Sequence, residues 1–371
     1  MISEILYPLC AAICSLVATF IMMPSLLDIC KRRGLYDMPN ERKVHANKIP
    51  RLGGVVFAPA MLIGICITLG IMTFVKSTDL PTFKMSTLTI LSGMFIMYCV
   101  GVLDDVLGLN ARFKFFIQFI AALFMPLCGL YLNNLYGFMG IHELPFWAGY
   151  PLSVFISLLV VNSINLIDGI DGLASGLGLI ALSVLLVAFY DLHVIAYTIF
   201  TAALIGTIVA FMYFNLFGKV ERNRKIFMGD TGSLILGYAL AFLIFKYAMY
   251  NPQVLPYRAD ALLIAYTIVI IPTFDLIRVA LSRLKNGVSI FHADKTHIHH
   301  KFMAAGCSMR TSLWLILGAQ VLFCLANGLM YTFGVSSTII VACDVLAFCA
   351  LNVYLNTRIK AKDEIGKGLP A

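Results

Sequence analysis

The chain has 371 residues, of which 60% are hydrophobic and only 12% are charged. Soluble domains carry about 25% charged residues, so this composition excludes an ordinary soluble protein and predicts an all-α protein that crosses a membrane many times. The net charge of +8 suits anionic lipid headgroups and phosphorylated ligands and does not indicate nucleic-acid binding. The cysteines lie mostly in apolar stretches without a CxxC pair, which favours small membrane hydrophobes over disulfides or metal ligands.

A helix needs about 20 apolar residues to cross a bilayer. Eleven stretches satisfy this rule: 3–27, 53–75, 86–103, 114–132, 151–167, 173–190, 194–214, 232–250, 260–281, 312–332 and 335–355. The first lacks a basic start and is too long for a cleaved signal peptide, so we expect it to remain. Little chain is left over, and residues 1–371 are therefore expected to form a single membrane domain.

Lys and Arg are enriched in cytoplasmic loops, which orients the chain. With the N-terminus outside, nearly all of the 27 basic residues fall on one side, and only Lys76, Lys84, Lys246 and Arg258 fall on the other. This predicts an outside N-terminus and a cytoplasmic C-terminus. The cytoplasmic loops, about 28–54, 104–114, 162–173, 215–233 and 283–311, are candidate catalytic loops, while 312–355 has few polar residues and no motif and is predicted to be scaffold.

The first cytoplasmic loop ends in Pro50-Arg51-Leu-Gly53-Gly54. Paired glycines at the mouth of a span let a backbone or a ligand come close, and Arg51 suits a phosphate. A solvated basic loop is the alternative.

The third span ends in two adjacent acids, Asp104 and Asp105. Neighbouring carboxylates repel each other unless a cation or a proton lies between them. We therefore expect an acid pair that faces a polar cavity. The alternative is interfacial acids that pair with Arg112.

The fifth span runs into the motif Asn162-Ser-Ile-Asn165-Leu-Ile-Asp168-Gly-Ile-Asp171-Gly. On a helix, the first three polar residues lie along one stripe because they are three apart. The glycines let the backbone leave the helix, which at membrane depth requires protein cover or a wet cavity. We therefore predict that these side chains direct their oxygen atoms toward one ligand site. The alternative is a plain turn with solvated acids.

Three later segments carry further polar residues of note. Phe-Met-Gly-Asp230-Thr-Gly-Ser places a carboxylate at a helix N-terminus, which suits anions such as phosphate; the alternative is that Asp230 is only an N-cap, and both roles are compatible. Asp275 and Arg278 are expected to form a structural i,i+3 pair. The loop from Ser289 to Lys301 is rich in His and Lys, and a zinc site, a basic surface loop and a phosphate or sugar site all remain open.

All of these clusters fall on the predicted cytoplasmic side, so they can build one site. Carboxylate and amide oxygens suit Mg²⁺, which prefers a few carboxylates plus substrate phosphates, while Arg, Lys and His suit an anionic ligand. This set favours phosphoryl transfer to an acceptor that lives in the bilayer. An ion-coupled secondary transporter also uses buried acids, but it places them near the midplane and usually shows a repeat, and we find no such repeat.

Together the motifs resemble the polyprenyl-phosphate N-acetylhexosamine-1-phosphate transferases, glycosyltransferase family 4. The resemblance is carried by Gly-Val-Leu-Asp104-Asp105, Asn162-x-x-Asn165-Leu-Ile-Asp168-Gly-x-Asp171-Gly-Leu, Phe-Met-Gly-Asp230-Thr-Gly-Ser and His297-x-His299-His300, and it runs from about Asp37 to His300. The last motif is similar to the undecaprenyl-phosphate GlcNAc-1-phosphate transferase branch rather than to the phospho-MurNAc-pentapeptide transferases, which carry three consecutive His.

The resemblance implies transfer of GlcNAc-1-phosphate from UDP-GlcNAc to undecaprenyl phosphate, which gives undecaprenyl-diphospho-GlcNAc and UMP. It implies a bacterial inner-membrane enzyme with a cytoplasmic site, at the first membrane step of a cell-surface glycan pathway. The implied roles are Mg²⁺ (or Mn²⁺) at Asn165 and Asp230, catalytic carboxylates at Asp104, Asp105 and Asp168, and substrate contacts at Asp171, Arg51, Lys295, His297, His299 and His300. Another UDP-HexNAc donor, an aspartyl-phosphate route and a homodimer all remain open.

Overall fold

The computed structural model describes residues 2–37, 48–75, 80, 85–252, 256–292 and 294–367. Their helices are α1 (Ile2–Arg33), α2 (Phe57–Phe74), α3 (Met85–Leu107), α4 (Ala111–Leu127), α5 (Phe146–Ile167), α6 (Leu173–Asp191), α7 (Ile195–Phe217), α8 (Gly229–Ala248), α9 (Ala261–Thr267), α10 (Ile270–Lys285), α11 (Ile298–Ala304), α12 (Met309–Thr332) and α13 (Ser337–Lys367). Two antiparallel pairs join β1 (Tyr36–Asp37) to β2 (Ile49–Pro50) and β3 (Asn134–Phe138) to β4 (Ile141–Glu143). Short 3-10 turns lie at Gly53–Val56 and Val220–Arg222.

The all-α, multi-span fold class is confirmed. Within the described ranges, nine helices are long and apolar enough to cross a membrane, or ten if α9 and α10, which meet at a bend of 67°, form one broken span. Helix α4 covers the remaining predicted stretch with 17 residues, which is the lower limit of about 17 for a crossing. The count of eleven therefore stays a prediction, as does the orientation of the termini.

Several predicted helix boundaries are wrong, because hydropathy identifies the apolar part of a helix but not the polar turns that extend it into water. Helix α1 continues to Arg33 instead of ending at residue 27, and α13 continues to Lys367 instead of ending at 355. Basic residues in the last turn of α1 suit the negative end of the helix dipole. The predicted loop 283–311 contains α11. Residues 38–47 of the predicted loop 28–54 lie outside the described residues.

Helix α8 forms the centre of the bundle and packs against α3, α5 and α6. Of the 18 consecutive residues in its most apolar stretch, 94% are buried. Small residues let membrane helices approach closely. A Cβ at Gly93 of α3 would lie 1.8 Å from the Tyr238 hydroxyl oxygen, and one at Gly101 would lie 2.4 Å from the Thr231 Cα. This close packing sets the first turn of α8 against the end of α3, where the acid pair lies.

The bend between α9 and α10 is held by polar side chains of the two helices that follow α11. Gln320 donates to the Thr267 carbonyl at 2.8 Å and accepts from the Ile271 N–H at 3.2 Å. Asn327 donates to the Asp344 carboxylate at 2.8 Å and to the Thr267 hydroxyl at 2.9 Å. Unsatisfied backbone groups cost several kcal/mol at membrane depth, so these contacts make the break possible.

Candidate active site

Two adjacent cavities lie at one end of the bundle. The first cavity has a volume of about 390 Å³, the second about 380 Å³, and both are lined by Asn165, Gly169 and His300. The first is also lined by Arg51, Asp105, Asp168, Asp171, Asn215 and Asp230. The second is also lined by Lys114, Gln118, Asn162, Arg283, His297 and His299. All five predicted loops therefore meet in one place.

The paired glycines of the first loop allow two backbone segments to touch. The Gly54 N–H donates to the Met228 carbonyl at 2.8 Å, and a Cβ at Gly54 would lie 2.0 Å from the Gly232 nitrogen. Of the two readings of Gly53 and Gly54, close approach of a backbone is the one that the structure shows. This contact holds Arg51 in the wall of the first cavity.

Asp105 anchors the first turn of α8. One carboxylate oxygen accepts from the Asp230 N–H at 2.8 Å, and the other accepts from the Thr231 N–H at 2.9 Å and from the Thr231 hydroxyl at 2.7 Å. A carboxylate at this end of a helix satisfies free N–H groups and the positive end of the dipole. The alternative that Asp230 itself is the N-cap is wrong, because Asp230 lies inside the first turn.

Lys114 sits among oxygens from three helices. Its ammonium lies 2.8 Å from an Asp104 carboxylate oxygen, donates to the Asn165 amide oxygen at 3.1 Å, and also contacts the Asp230 carboxylate. The Asn165 amide nitrogen donates to the same Asp230 oxygen at 2.5 Å. We call Asp104, Asn165 and Asp230 the oxygen cluster. The predicted alternative partner, Arg112, is wrong, since Asp104 pairs with Lys114.

The oxygen cluster fits a hard cation. Carboxylate and amide oxygens are the ligands that Mg²⁺ prefers, and because Mg²⁺ keeps several waters, two protein ligands suffice. The ammonium of Lys114 shows that this place already attracts a positive charge. In the part of the chain that the structure describes, no three His, Cys, Asp or Glu side chains are grouped to hold a metal. Within the described residues, no such group supports the zinc interpretation.

Asp168 lines the first cavity without a hydrogen-bond partner among the described residues. Burial, and then the neighbouring carboxylates of Asp230 and Asp171, raise the pKa of Asp168 to about 8. A carboxyl in such a place gains a proton unless a positive charge arrives. Its position beside Asn165 therefore makes it responsive to any cation bound at the oxygen cluster.

Asp171 is held by two residues that the sequence analysis missed. The Lys225 ammonium lies 2.6 Å from one carboxylate oxygen, and the Asn215 amide donates to the other at 3.2 Å. Asn215 also accepts from the Gly172 N–H at 2.8 Å and donates to the Ile226 carbonyl at 2.9 Å. An Asn at the end of an apolar span, beside a basic run, was the available signal.

The start of α11 is fixed by Asp275. This carboxylate accepts from the Ile298 N–H at 3.1 Å and from the Arg278 guanidinium at 2.7 Å, and it lies 2.8 Å from His297 Nδ1. The predicted pair of Asp275 and Arg278 is therefore confirmed. Asp275 also orients His297. The sequence analysis missed this contact, because the two residues lie on different elements and no local pattern connects them.

His299 is buried in the wall of the second cavity, with 1% of its surface exposed. Its ring is stacked with that of His297, with 6.0 Å between the ring centroids, and its centroid lies 4.2 Å from that of the His300 ring. Neither ring nitrogen has a hydrogen-bond partner within the described ranges. Burial, and then the charge of His300, lower the pKa of His299 to about 3, so its ring is neutral. Lys295, the other predicted contact in this loop, is exposed and lines neither cavity.

Comparison with known proteins agrees with this arrangement. The sequence profile of glycosyl transferase family 4 matches residues 87–248. A protein of Bacillus subtilis (strain 168), named probable undecaprenyl-phosphate N-acetylglucosaminyl 1-phosphate transferase, is 33% identical over 314 residues, which are 82% of this chain and 80% of that protein. Proteins of Yersinia pestis and Salmonella typhi, both named undecaprenyl-phosphate alpha-N-acetylglucosaminyl 1-phosphate transferase, are 32% and 30% identical. They are matched over 78% and 92% of this chain, and over 75% and 90% of their own lengths. The oxygen cluster and the first cavity fall largely within the matched segment, and the chain belongs to glycosyl transferase family 4.

Proposed function

We propose that the protein transfers GlcNAc-1-phosphate from UDP-GlcNAc to undecaprenyl phosphate, with release of UMP. The observation that supports the proposal is the oxygen cluster, which contacts the Lys114 ammonium between the two cavities. A diphosphate donor needs its charge neutralised at such a point. The relatives from Bacillus subtilis and Yersinia pestis are named for transfer of N-acetylglucosaminyl 1-phosphate to undecaprenyl phosphate, which supports the proposal.

The first cavity suits the nucleotide end of the donor. Asn165 and Asp230 would hold Mg²⁺ or Mn²⁺, which would supply charge neutralisation for the donor diphosphate. Asp171 would meet the uracil, and its contacts with Lys225 and Asn215 keep its carboxylate in one orientation. Arg51 lines the same cavity and suits a donor phosphate.

The second cavity suits the sugar and the acceptor phosphate. The ring nitrogens of His299 have no partner among the described residues, so they offer a donor or an acceptor to a sugar hydroxyl or a phosphate oxygen. Apolar side chains such as Phe115 and Phe291 share this cavity with Lys114, which suits a ligand with a phosphate on a hydrocarbon chain.

In the reaction, an oxygen of the acceptor phosphate bonds to the phosphorus that carries the sugar. The bond between that phosphorus and the oxygen that bridges to the uridine phosphate breaks, and UMP leaves. With a second pKa near ~6, a phosphate monoester is mostly a dianion at neutral pH, so it needs orientation more than a strong base. Asp104 and Lys114, which form an ion pair, would provide that orientation and charge balance beside the acceptor.

The protein is a multi-pass membrane protein, and we propose the bacterial inner membrane with the site on the cytoplasmic face. The distribution of Lys and Arg supports this orientation. The product, a sugar on a lipid diphosphate, suits the first membrane step of a cell-surface glycan pathway.

UMP release from a panel of UDP-sugars, with undecaprenyl phosphate and Mg²⁺, tests the proposal. UDP-GlcNAc should be the preferred donor, and UDP-MurNAc-pentapeptide should be rejected, because a site that hydrogen-bonds sugar hydroxyls discriminates strongly. Asp191→Asn, at the exposed end of α6, is a matched control for variants of the oxygen cluster. Release of UMP from UDP-GlcNAc at the same rate without the lipid would contradict acceptor transfer. Equal use of the pentapeptide donor would contradict the donor assignment alone.

A further inference from the structure

A third concave surface lies away from the two cavities but at the same end of the bundle. It is formed between α1, α7 and the loop after α7, and we call it the α1–α7 groove. Its volume is about 640 Å³ and its walls include Phe20, Pro24, Lys31, Tyr213, Arg222 and Arg224. Ligand sites commonly have volumes of about 300–1,000 Å³. Helix α7 lies between the groove and the first cavity, because Tyr213 of this helix lines the groove and Asn215 lines the first cavity.

One half of the groove is apolar and lies within two membrane-spanning segments. The Phe20 ring lies 5.5 Å from the rings of both Tyr213 and Phe214. The side chains of Phe20 and Tyr213 remain 36% and 46% exposed. An aromatic surface in a membrane span that is not covered by protein faces hydrocarbon, so this half suits an acyl chain.

The other half of the groove is cationic. Lys31, Arg222 and Arg224 are exposed, and their side chains have no hydrogen-bond or ion-pair partner among the residues that the structure describes. Asp28 is the acid in this wall and offsets one of the three charges. The loop turns tightly between the two arginines, with Asn223 at a left-handed φ of 51°, so their backbones are held on either side of this turn.

The distance between the two halves matches a lipid in one leaflet. Phe20 and Lys31 are separated by about 16 Å along α1, at ~1.5 Å per residue. A leaflet has roughly 5–7 Å of headgroup and about 15 Å of hydrocarbon, so the groove spans a headgroup and the upper acyl chain. Basic pockets between membrane helices bind acidic headgroups, and Arg grips phosphate with two parallel hydrogen bonds.

We propose that the α1–α7 groove binds an acidic phospholipid. The headgroup phosphate and its net negative charge face Lys31, Arg222 and Arg224, and an acyl chain lies against Phe20 and Tyr213. This binding is independent of the transferase reaction, since none of these residues lines either cavity of the site.

The test is retention of lipid by the purified full-length protein. The protein is released from nanodiscs that contain equal amounts of phosphatidylglycerol and phosphatidylcholine, and the retained lipid is counted by native mass spectrometry. The wild type should keep phosphatidylglycerol preferentially. Arg222→Gln with Arg224→Gln should lower that preference by about fivefold for each charge removed. Lys31→Gln alone should lower it about fivefold and replaces the double variant if the latter misfolds.

The matched control is Lys219→Gln with Lys285→Gln, which removes two exposed charges from the same end of the bundle outside the groove. This control should keep the wild-type preference. An equal loss in the control, or equal retention of both lipids by the wild type, would overturn the proposal. Displacement of the lipid by inorganic phosphate would show a phosphate site instead, and displacement by undecaprenyl phosphate would assign the groove to the acceptor.

Discussion

Replacement of Gly169 by Ala tests whether the reaction requires the His299 ring in its observed position. A Cβ at Gly169 would lie 2.1 Å from His299 Nε2 and 2.5 Å from its Cε1, whereas ordinary contacts begin at 3.4 Å. The ring would therefore have to move by about 1.3 Å. Because His299 stacks on His297 and lines the second cavity, the ring would have to shift into that cavity and leave its observed position. A displacement of about 1 Å at a reacting centre costs on the order of 100-fold in rate, whereas overpacking costs about 1–3 kcal/mol in stability.

The assay is UMP release with UDP-GlcNAc, combined with thermal unfolding in detergent. We expect kcat/KM to fall about 100-fold in Gly169→Ala, while the protein remains folded. Gly318→Ala in α12 is the control, because a Cβ there meets nothing within 4 Å. The double variant Gly169→Ala with His299→Ala should be no slower than His299→Ala alone, since both changes act through one ring. Near wild-type turnover in Gly169→Ala, or losses that multiply in the double variant, would refute the reasoning.

Four further outcomes are expected. Asp230→Asn should lose on the order of 100-fold in turnover at low Mg²⁺ while the protein stays folded, because Lys114 keeps its contact with Asp104, and wild-type turnover there would remove Asp230 from the ligand set. Asp105→Asn should cost about 1–2 kcal/mol of stability and slow the reaction, while calorimetry should still show UDP-GlcNAc binding; lost binding would move Asp105 to the nucleotide side. Asn215→Leu should raise the KM for UDP-GlcNAc about tenfold with little change in kcat, because Asp171 loses a partner, and a loss in kcat alone would contradict this role. Burial lowers the pKa of His299 to about 3, so the unfolded chain binds the extra proton and stability should fall by about 1 kcal/mol from about pH 7 to about pH 5.5. His299→Gln should remove that part of the dependence in thermal unfolding, and an unchanged dependence would contradict the assignment.

The fold class could be predicted from sequence because a bilayer imposes one simple rule on length and hydropathy. The same rule misplaced the ends of α1 and α13, since a helix can continue into water on polar residues. It was also silent on the bend at Thr267, because the partner of that backbone is Gln320 on another helix. Contacts of this kind depend on packing, which hydropathy does not report.

Most of the candidate site could be named from sequence because its residues occur in short motifs at the ends of spans. The residues that hold those motifs in place could not be named. Lys114 was only one more basic residue near a span, and Asn215 only an amide at the end of another. Asp275 was assigned correctly to Arg278 but not to His297. Each of these contacts joins elements that are far apart in the sequence, so the spacing of residues within one motif cannot predict it.

The adjacent acids at the end of α3 illustrate how the structure resolves a conflict that is visible in the sequence. Two neighbouring carboxylates should repel each other, but they point to different positive partners: Asp104 to the ammonium of Lys114, and Asp105 to the N-terminus of α8. The second contact fixes the backbone of Asp230, whose side chain completes the oxygen cluster that Asp104 shares. The two acids therefore act on the oxygen cluster by different routes: Asp104 through its charge, and Asp105 through the position of the Asp230 backbone. We therefore expect that replacement of either acid disturbs the same cluster.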